Sequence, residues 1–133
     1  MTSPTHTGSC LCGAVRLEVR GDLKAPDACH CSQCRRWSGH IWASTDVQRD
    51  QLRVIGEEQI RWYATSAEVR RGSCGTCGSA MFWDPPHRAS LAVAMGCFDK
   101  PTDTELGVHI FTADKGDYYR IDGDDTPQEP YPP

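Results

Sequence analysis

The segment CLCGAVRLEVR, residues 10–20, places a pair of cysteines directly before a run in which apolar and charged residues alternate. The apolar members of that run are Val15, Leu17 and Val19. Because successive side chains of a β-strand point to opposite faces, this period of two predicts a half-buried strand. The cysteine pair, which has the spacing CxC, is therefore expected at the entrance of that strand.

Short apolar or aromatic runs recur along the rest of the chain, separated by the Gly, Pro, Asp and Ser residues that favour turns. The further predicted strands are 41–44, 52–55, 60–63, 80–83, 91–95 and 108–111. No period of 3.6 residues is sustained over three turns, so helix is expected only as short turns at 33–37 and 113–117. The sequence predicts a mainly β fold with little helix.

Length and charge narrow the class of protein. At 133 residues the chain fits one domain, 1–133, because a single hydrophobic core usually organises about 100 to 150 residues. The formal net charge is -4, so the chain lacks the positive field that nucleic-acid-binding proteins normally use. The sequence shows neither a secretory signal nor an apolar run long enough to cross a membrane. We expect a cytoplasmic protein that binds neither nucleic acid nor membrane.

Residues 122–133 form a tail that is acidic at first and then rich in proline. Proline fixes its own backbone angle and donates no backbone hydrogen bond, so such a segment favours an extended or disordered chain. We expect the tail to run over the surface and assign it no part in the chemistry.

Eight cysteines dominate the rest of the sequence: Cys10, Cys12, Cys29, Cys31, Cys34, Cys74, Cys77 and Cys97. All but the last fall into three clusters with the spacings CxC, CxCxxC and CxxC. The reducing cytosol disfavours disulfides, and clustered cysteines there more often bind metal. Disulfides or buried free thiols are the alternative, which would require an oxidising compartment or a core that groups the sulfurs by chance. We predict zinc binding.

The clustered cysteines divide unequally between two zinc sites. Tetrahedral zinc takes four ligands, and knuckles such as Cys74-Gly75-Thr76-Cys77-Gly78 present two sulfurs from one tight turn. Seven thiolates cannot complete two sites of four, so counting favours one site of four and one of three. Pairing Cys10 and Cys12 with Cys74 and Cys77 would join the first strand to later ones. We predict a structural zinc there, worth on the order of 10 kcal/mol of folding free energy.

The remaining cluster consists of Cys29, Cys31 and Cys34 and is too short to surround a metal ion. Three protein ligands with a vacant fourth position are the arrangement of catalytic zinc. Three thiolates outweigh the charge of Zn²⁺, so the metal would be a poor Lewis acid for water but could hold an incoming thiol as its thiolate. We predict a catalytic zinc whose chemistry is thiol chemistry.

A fourth protein ligand would close this second site and make both metals structural. The candidates are Cys97, His30, His40, His87 and His109. Cys97 lies in an apolar run, where a single cysteine is more often a small buried side chain than a ligand. His30 would point away from its cysteine neighbours in an extended segment, and we expect it to be adjacent to the ligands or exposed. The open site is the favoured interpretation.

Two arginines, Arg35 and Arg36, directly follow the three-cysteine cluster. A guanidinium group can bind a carboxylate through two parallel hydrogen bonds, and it can also balance thiolate charge. We predict that both arginines bind the thiol ligand, with ordinary surface arginines as the alternative.

Three segments resemble the glutathione-dependent formaldehyde-activating enzyme family, also called the centromere-protein-V-type family. They are Gly8-Ser9-Cys10-Leu11-Cys12-Gly13-Ala14-Val15, Cys29-His30-Cys31-Ser32-Gln33-Cys34-Arg35-Arg36-Trp37-Ser38-Gly39 and Cys74-Gly75-Thr76-Cys77-Gly78-Ser79. The later segment His109-Ile110-Phe111-Thr112-Ala113-Asp114-Lys115 is similar to that family as well. The resemblance covers nearly the whole chain.

This resemblance implies an Mss-four-like fold in which short antiparallel sheets surround a structural zinc. It implies two zinc ions per chain, with the structural ion on Cys10, Cys12, Cys74 and Cys77 and the catalytic ion on Cys29, Cys31 and Cys34. It also implies a carbon–sulfur lyase that adds glutathione to formaldehyde to give S-hydroxymethylglutathione, in either direction. The partners would be glutathione or another small thiol and a small aldehyde.

Both lines of argument are consistent with a mechanism in which the open zinc holds the glutathione sulfur as thiolate beside the carbonyl carbon. His40 and His30 are the candidates for the acid that protonates the adduct oxygen. Because thiols add readily to aldehydes, a carrier of the glutathione adduct is an alternative, as is a non-enzymatic zinc module that binds a protein partner. The intact three-cysteine cluster favours the enzyme. The sequence leaves the oligomeric state open, with a homodimer as one option.

Overall fold

The structure is a computed structural model that describes residues 4–123 and 125–132. The predicted domain, 1–133, and the predicted tail, 122–133, include residues 1–3, Asp124 and Pro133, which lie outside the described residues. The described ranges contain β1 (Thr5–Ser9), β2 (Arg16–Arg20), β3 (Asp27–Cys29), α1 (Ser32–Ser38), β4 (Trp42–Gln48), β5 (Leu52–Ile55), β6 (Ile60–Ala64), β7 (Arg70–Cys74), β8 (Ala80–Asp84), β9 (Ser90–Ala94), β10 (Val108–Ile110) and β11 (Gln128–Glu129). The prediction of a mainly β fold with little helix is confirmed. No helix in these ranges is long and apolar enough to cross a membrane.

The strands form two sheets. Strands β1, β2 and β5 make an antiparallel sheet, and the others make a larger one in the order β11-β10-β3-β4-β9-β8-β7-β6. In the larger sheet β10 runs parallel to both β3 and β11, which differs from the expectation of antiparallel sheets. Parallel neighbours need long connections, and this chain supplies them because most of its length separates β3 from β10.

The first strand predicted from the sequence is the centre of the smaller sheet. In β2, Leu17 and Val19 are buried while Arg16 and Arg20 are exposed, as the alternation predicts. Leu17 pairs with Gly8 of β1 on one side and with Val54 of β5 on the other. Burying an aliphatic side chain contributes about 1.5 to 3 kcal/mol, so this strand fixes the sheet that carries the first cysteine pair.

Most other predicted strands are present with shifted ends. The predicted strand 41–44 overlaps the start of a longer strand, β4. The helical turn predicted at 113–117 overlaps only the end of a 3₁₀ turn, Thr112–Asp114. The turn predicted at 33–37 lies inside α1. Strands β1, β3, β7 and β11 were not predicted from the pattern, because polar residues and glycine occupy positions where an isolated strand would show apolar side chains.

The tail contributes a short edge strand. Gln128 and Glu129 of β11 pair with His109 and Ile110 of β10, and both tail residues are exposed. This pairing places the end of the described chain beside β10 and one strand away from β3, which carries Cys29.

Candidate metal centres

Seven cysteines form two groups in which the sulfur atoms all lie within 4.8 Å of one another. The first group is Cys10, Cys12, Cys74 and Cys77, and the second is Cys29, Cys31 and Cys34. Both groups could hold a metal ion. In the described part of the chain, no other set of three or more His, Cys, Asp or Glu side chains converges so closely, so neither Cys97 nor a histidine joins the second group.

The four-cysteine group is built from two similar turns. Cys10 and Cys12 lie in the turn between β1 and β2, and Cys74 and Cys77 lie at the end of β7 and in the turn to β8. A glycine with φ of +83° follows the second cysteine of each turn, Gly13 in one and Gly78 in the other. This left-handed backbone costs other residues roughly 1 to 2 kcal/mol, so the glycines allow each pair of sulfurs to face the same side.

The spacing of these sulfurs fits tetrahedral zinc. With zinc–sulfur bonds of about 2.3 Å, a tetrahedral site has sulfur–sulfur distances of about 3.8 Å. The distance is 3.7 Å between the Sγ atoms of Cys10 and Cys12, and 3.8 Å between those of Cys12 and Cys74. Hydrogen bonds from Ser79 lower the pKa of Cys77 to about 5, which favours the thiolate that metal binding requires.

The three-cysteine group lies where β3 passes into α1. Cys29 is the last residue of β3, and Cys31 is the residue before the helix. The Cys31 sulfur accepts a hydrogen bond of 3.3 Å from the backbone N–H of Cys34, as a capping serine oxygen would. This cap starts the helix and brings three sulfurs together within one short segment.

The three thiols of this group differ in pKa, because each is hydrogen-bonded to the others. Hydrogen bonds from Cys29 and Cys34 hold the pKa of Cys31 well below its usual range, whereas the same interaction with Cys31 raises the pKa of Cys29. The first proton is therefore lost readily, and the later ones need a nearby positive charge. A divalent metal ion would supply that charge.

Arg71 provides a second source of positive charge, and sequence reasoning missed it. The side chain is 5% exposed, and its Nη1 donates to Cys34 Sγ over 3.6 Å. Its Nη2 donates to Gln33 Oε1 at 3.2 Å, and the guanidinium lies 4.9 Å from the ring centroid of Trp37. Arg70 and Arg71 are adjacent in β7 and therefore face opposite sides, but the sequence pattern does not predict that strand.

A cavity of about 860 Å³ adjoins the three-cysteine group, and all three cysteines line it. Its floor is one face of the larger sheet, where aligned residues on neighbouring strands share the lining. One such row is Glu129, Ile110, Cys29 and Trp42, and another is Asp46, Ala92, Trp83 and Arg71. A cavity of this size matches small-molecule sites, so the group has an open side. A smaller cavity of about 440 Å³ has no cysteine in its lining.

The cavity contains charged residues that sequence reasoning did not assign to the site. Asp27, Asp46, Asp114 and Glu129 line it together with Arg71 and Arg88. Burial, together with the charges of Asp46 and Glu129, raises the pKa of Asp27 to about 6. Glu129 belongs to the tail, to which the sequence analysis gave no part in the chemistry, and its presence in the lining differs from that expectation.

The predicted arginines lie elsewhere. Arg36 is exposed and Arg35 is half-buried on α1, and neither is among the residues that line the cavity. The Nε atom of Arg35 is buried and has no hydrogen-bond acceptor among the described residues. Their role in ligand binding stays a prediction.

The histidines also lie outside the cavity lining. His30 is buried, with Nδ1 2.7 Å from the Tyr119 hydroxyl and Nε2 2.9 Å from Nδ1 of His109. Burial, with the nearby His109, lowers the pKa of His30 to about 4, so the ring is neutral at pH 7. His40 is exposed and its Nδ1 lies 2.7 Å from the Tyr118 hydroxyl. The two predicted proton donors are therefore engaged with tyrosines, and neither faces the cavity.

The chain is similar to known proteins in sequence and in fold. Residues 5–114 match the family model described as glutathione-dependent formaldehyde-activating enzyme. An uncharacterized lyase of Schizosaccharomyces pombe is 31% identical over 81 residues, which are 60% of this chain and only 58% of that relative.

Two further matches cover more of the relative. A Halomonas elongata protein, named as a proposed glutathione-dependent formaldehyde-activating enzyme, is 29% identical over 128 residues, 86% of this chain and 80% of that protein. The crystal structure of a Rhodobacter sphaeroides protein superposes with a TM-score of 0.59 at 28% identity, covering 71% of this chain and 88% of that one.

Proposed function

Because this chain belongs to the glutathione-dependent formaldehyde-activating enzyme family, we propose that it is a zinc-dependent carbon–sulfur lyase that forms or cleaves the glutathione adduct of formaldehyde or a related aldehyde. The names of its relatives, a lyase and a proposed formaldehyde-activating enzyme, support this reaction class. The observation that carries the proposal is the open three-cysteine group in the lining of a cavity large enough for a small molecule.

The two cysteine groups have different tasks in this proposal. Cys10, Cys12, Cys74 and Cys77 hold a structural zinc, because four sulfurs at tetrahedral spacing leave no vacant position. Cys29, Cys31 and Cys34 hold a second zinc and are the catalytic residues. Zinc bound there supplies a fixed positive charge that keeps an incoming thiol ionised near neutral pH.

The residues of the chain orient the reactants around that group. The cysteines occupy the β3–α1 side, so the thiol enters from the cavity. Arg71 offsets the negative charge that three thiolates leave beside one divalent ion, while Trp42 and Trp83 give the cavity apolar walls. Holding thiol and aldehyde together in this space lowers the entropic cost of their encounter.

The chemical step is a simple addition. The sulfur of glutathione, whose proton has passed to solvent, forms a bond to the carbonyl carbon as the carbon–oxygen π bond breaks, and the resulting alkoxide oxygen takes up one proton from solvent. Cleavage reverses both changes. The chain therefore needs to bind, orient and keep the thiol ionised, which are the tasks that the cysteine group and Arg71 can perform.

The test is the rate at which S-hydroxymethylglutathione forms and breaks down, measured by NMR exchange spectroscopy at equilibrium. We expect the zinc-loaded protein to accelerate exchange and Cys31→Ser to return it to the uncatalysed rate. Cys97→Ala is the control, because Cys97 lies in neither cysteine group and should keep the rate within about twofold. Exchange at the uncatalysed rate with the wild-type protein contradicts the lyase, and tight binding of the adduct in that case indicates a carrier.

A further inference from the structure

His30 lies between two cysteines of the three-cysteine group but is directed away from the cavity. Cys29 and Cys31 line the cavity, whereas His30 does not and is only 1% exposed. Side chains alternate between the two faces of an extended segment, and the backbone of Cys31 is extended. The imidazole of His30 is therefore buried on the side of the segment opposite to the cavity.

Both nitrogens of the His30 ring have partners. Nδ1 lies 2.7 Å from the Tyr119 hydroxyl, and Nε2 lies 2.9 Å from Nδ1 of His109. In a neutral imidazole one nitrogen donates and the other accepts, so a hydroxyl and a second imidazole can satisfy both nitrogens at once. The Tyr119 ring also stacks on the His30 imidazole, with centroids 5.6 Å apart and an angle of 22° between the planes. These contacts fix both the position and the orientation of the His30 ring.

The backbone of this segment is fixed as well. Strand β3 pairs with β10 so that Cys29 lies opposite Ile110, and the His30 N–H donates to the Ile110 carbonyl at 3.0 Å. His109, which contacts the His30 ring, belongs to the same strand β10. One strand therefore holds both the backbone and the side chain of the residue that separates Cys29 from Cys31.

The Tyr119 hydroxyl comes from a distant part of the chain. Tyr119 follows His30 by 89 positions and lies beyond residues 5–114, which match the family model. Its own backbone is held by Lys115, whose Nζ donates to the Tyr119 carbonyl at 2.8 Å and to the Gly116 carbonyl at 3.1 Å. The segment from Lys115 to Tyr119 is thus a local turn that presents one hydroxyl to the buried ring.

The order of the cysteine segment affects how tightly it can hold a metal ion. Ordering a flexible backbone costs conformational entropy, and a segment that is ordered by folding does not incur this cost again when a ligand binds. The three Sγ atoms lie within 4.8 Å of one another, which is the conformation that binding to one metal ion needs. Contacts that hold the segment in this conformation therefore favour metal binding, although they do not touch the metal.

We propose that His30 is a positioning residue, and that Tyr119 and His109 hold it so that the cysteines on either side converge on one metal ion. This inference rests on the proposed function, because it concerns the zinc of the three-cysteine group. Removing the Tyr119 hydroxyl would leave Nδ1 of a buried ring without its partner, which costs free energy and loosens the ring. Metal binding should weaken at this group alone, because other segments form the four-cysteine group.

The experiment compares Tyr119→Phe with Tyr118→Phe in the full, zinc-loaded chain. Competition with a chromogenic chelator gives the affinity of each zinc ion, and Cys31→Ser identifies the affinity of the four-cysteine group. We expect Tyr119→Phe to weaken the zinc of the three-cysteine group about tenfold and to leave the other zinc and thermal unfolding unchanged. Tyr118→Phe is the matched control, because it removes a hydroxyl that contacts the exposed His40, and it should change neither affinity.

A second comparison tests whether Tyr119 acts through His30. In a His30→Leu background, Tyr119→Phe should cause no further loss of zinc affinity, because the hydrogen bond between the two side chains is already absent. The same tenfold loss in both backgrounds would show that Tyr119 acts by another route and would overturn the inference. If His30→Leu does not fold, the comparison of the two tyrosine variants still decides.

Two further outcomes would contradict the positioning role. Unchanged affinity for both zinc ions in Tyr119→Phe would show that the cysteines converge without the hydroxyl. Weaker binding of both zinc ions, with a lower temperature of thermal unfolding, would mean that Tyr119 supports the whole fold and not this segment. If the wild-type protein holds only one zinc ion, the proposed function itself is wrong.

Discussion

Arg71 places a buried positive charge in contact with the three-cysteine group. Removing a guanidinium from water is costly unless its donors find partners. Here Nη1 and Nη2 contact Cys34 and Gln33 and the group lies over Trp37, while Nε has no acceptor among the described residues. A zinc ion held by three thiolates would leave a net negative charge, which this buried cation would offset. Under the proposed function, this favours both the metal and an incoming thiolate.

Replacing this cation should weaken the second zinc specifically. We expect Arg71→Met to lower the affinity of one of the two zinc ions by about 10- to 100-fold, the usual cost of losing a partner of a metal ligand. Competition with a chromogenic chelator measures this, and Arg61→Met, an exposed arginine on β6, should leave both zinc affinities unchanged. Equal zinc retention in Arg71→Met and the wild-type protein would show that the thiolates need no neighbouring cation.

At the scale of single residues, the sequence predicts the two groups of cysteines but not the charged residues that line the cavity. The grouping of the sulfurs follows from spacings within single turns, which are local. Arg71, Asp46 and Glu129 reach the cavity through strand pairing across the sheet, which no local spacing reveals. Arg35 and Arg36 follow Cys34 in the chain, but a helix turns about 100° per residue and carries them away from it.

The two cysteine turns are the elements that assemble the four-cysteine group. Both need a left-handed residue after their second cysteine, and a glycine stands there in each case. A hydrogen bond closes each turn: Gly13 N–H donates to the Cys10 carbonyl three residues back, and Gly78 N–H donates to the Cys74 carbonyl four residues back. The geometry of the site is thus set by the turn backbone before any metal binds.

A comparison of two glycines tests this claim. A Cβ at Gly78 or at Gly96 would meet nothing within 4 Å, but only Gly78 has a positive φ, +83°. Gly78→Ala should therefore lower the free energy of unfolding by about 1 to 2 kcal/mol, purely from backbone strain. Gly96→Ala should change it by a few tenths at most, with urea denaturation of the zinc-loaded protein as the measurement. Equal stabilities would mean that the turn tolerates an ordinary residue.

The sequence predicts a strand well where one face of the strand carries buried apolar side chains and the other face meets solvent. Strand β2 shows the alternation because one of its faces packs in the core and the other meets solvent. Strand β7 reads as polar, yet it is central enough to pair with both β6 and β8, and Arg70 and Arg71 stack on Trp62 and Trp37. Tertiary contacts of this kind override the weak preference of single residues for strand.

On the scale of the whole molecule, the cysteine groups join parts of the chain that are far apart in sequence. The Sγ atoms of Cys12 and Cys74 are 3.8 Å apart although 62 positions separate the two residues. A metal there would close a long loop and link the smaller sheet to the larger one, at a gain on the order of 10 kcal/mol. The three-cysteine group spans six positions, so losing it should leave both sheets intact.

This difference predicts opposite outcomes for two equivalent substitutions. Cys74→Ser should unfold the protein, because the lost metal contributes as much free energy as a small domain has in total, about 5 to 15 kcal/mol. Cys31→Ser should remain folded, with circular dichroism and thermal unfolding close to those of the wild-type protein. Unfolding of Cys31→Ser would mean that the assignment of the two groups is wrong.

The central claim is that the three-cysteine group holds a zinc ion with one position open to an outside thiol. Native mass spectrometry of protein purified without added metal, recorded with and without glutathione, tests it most directly. We expect two zinc ions and one bound glutathione for the wild-type protein, and one zinc ion with no glutathione for Cys31→Ser. Two zinc ions without any glutathione adduct in the wild-type protein, or an adduct that persists in Cys31→Ser, would contradict the claim.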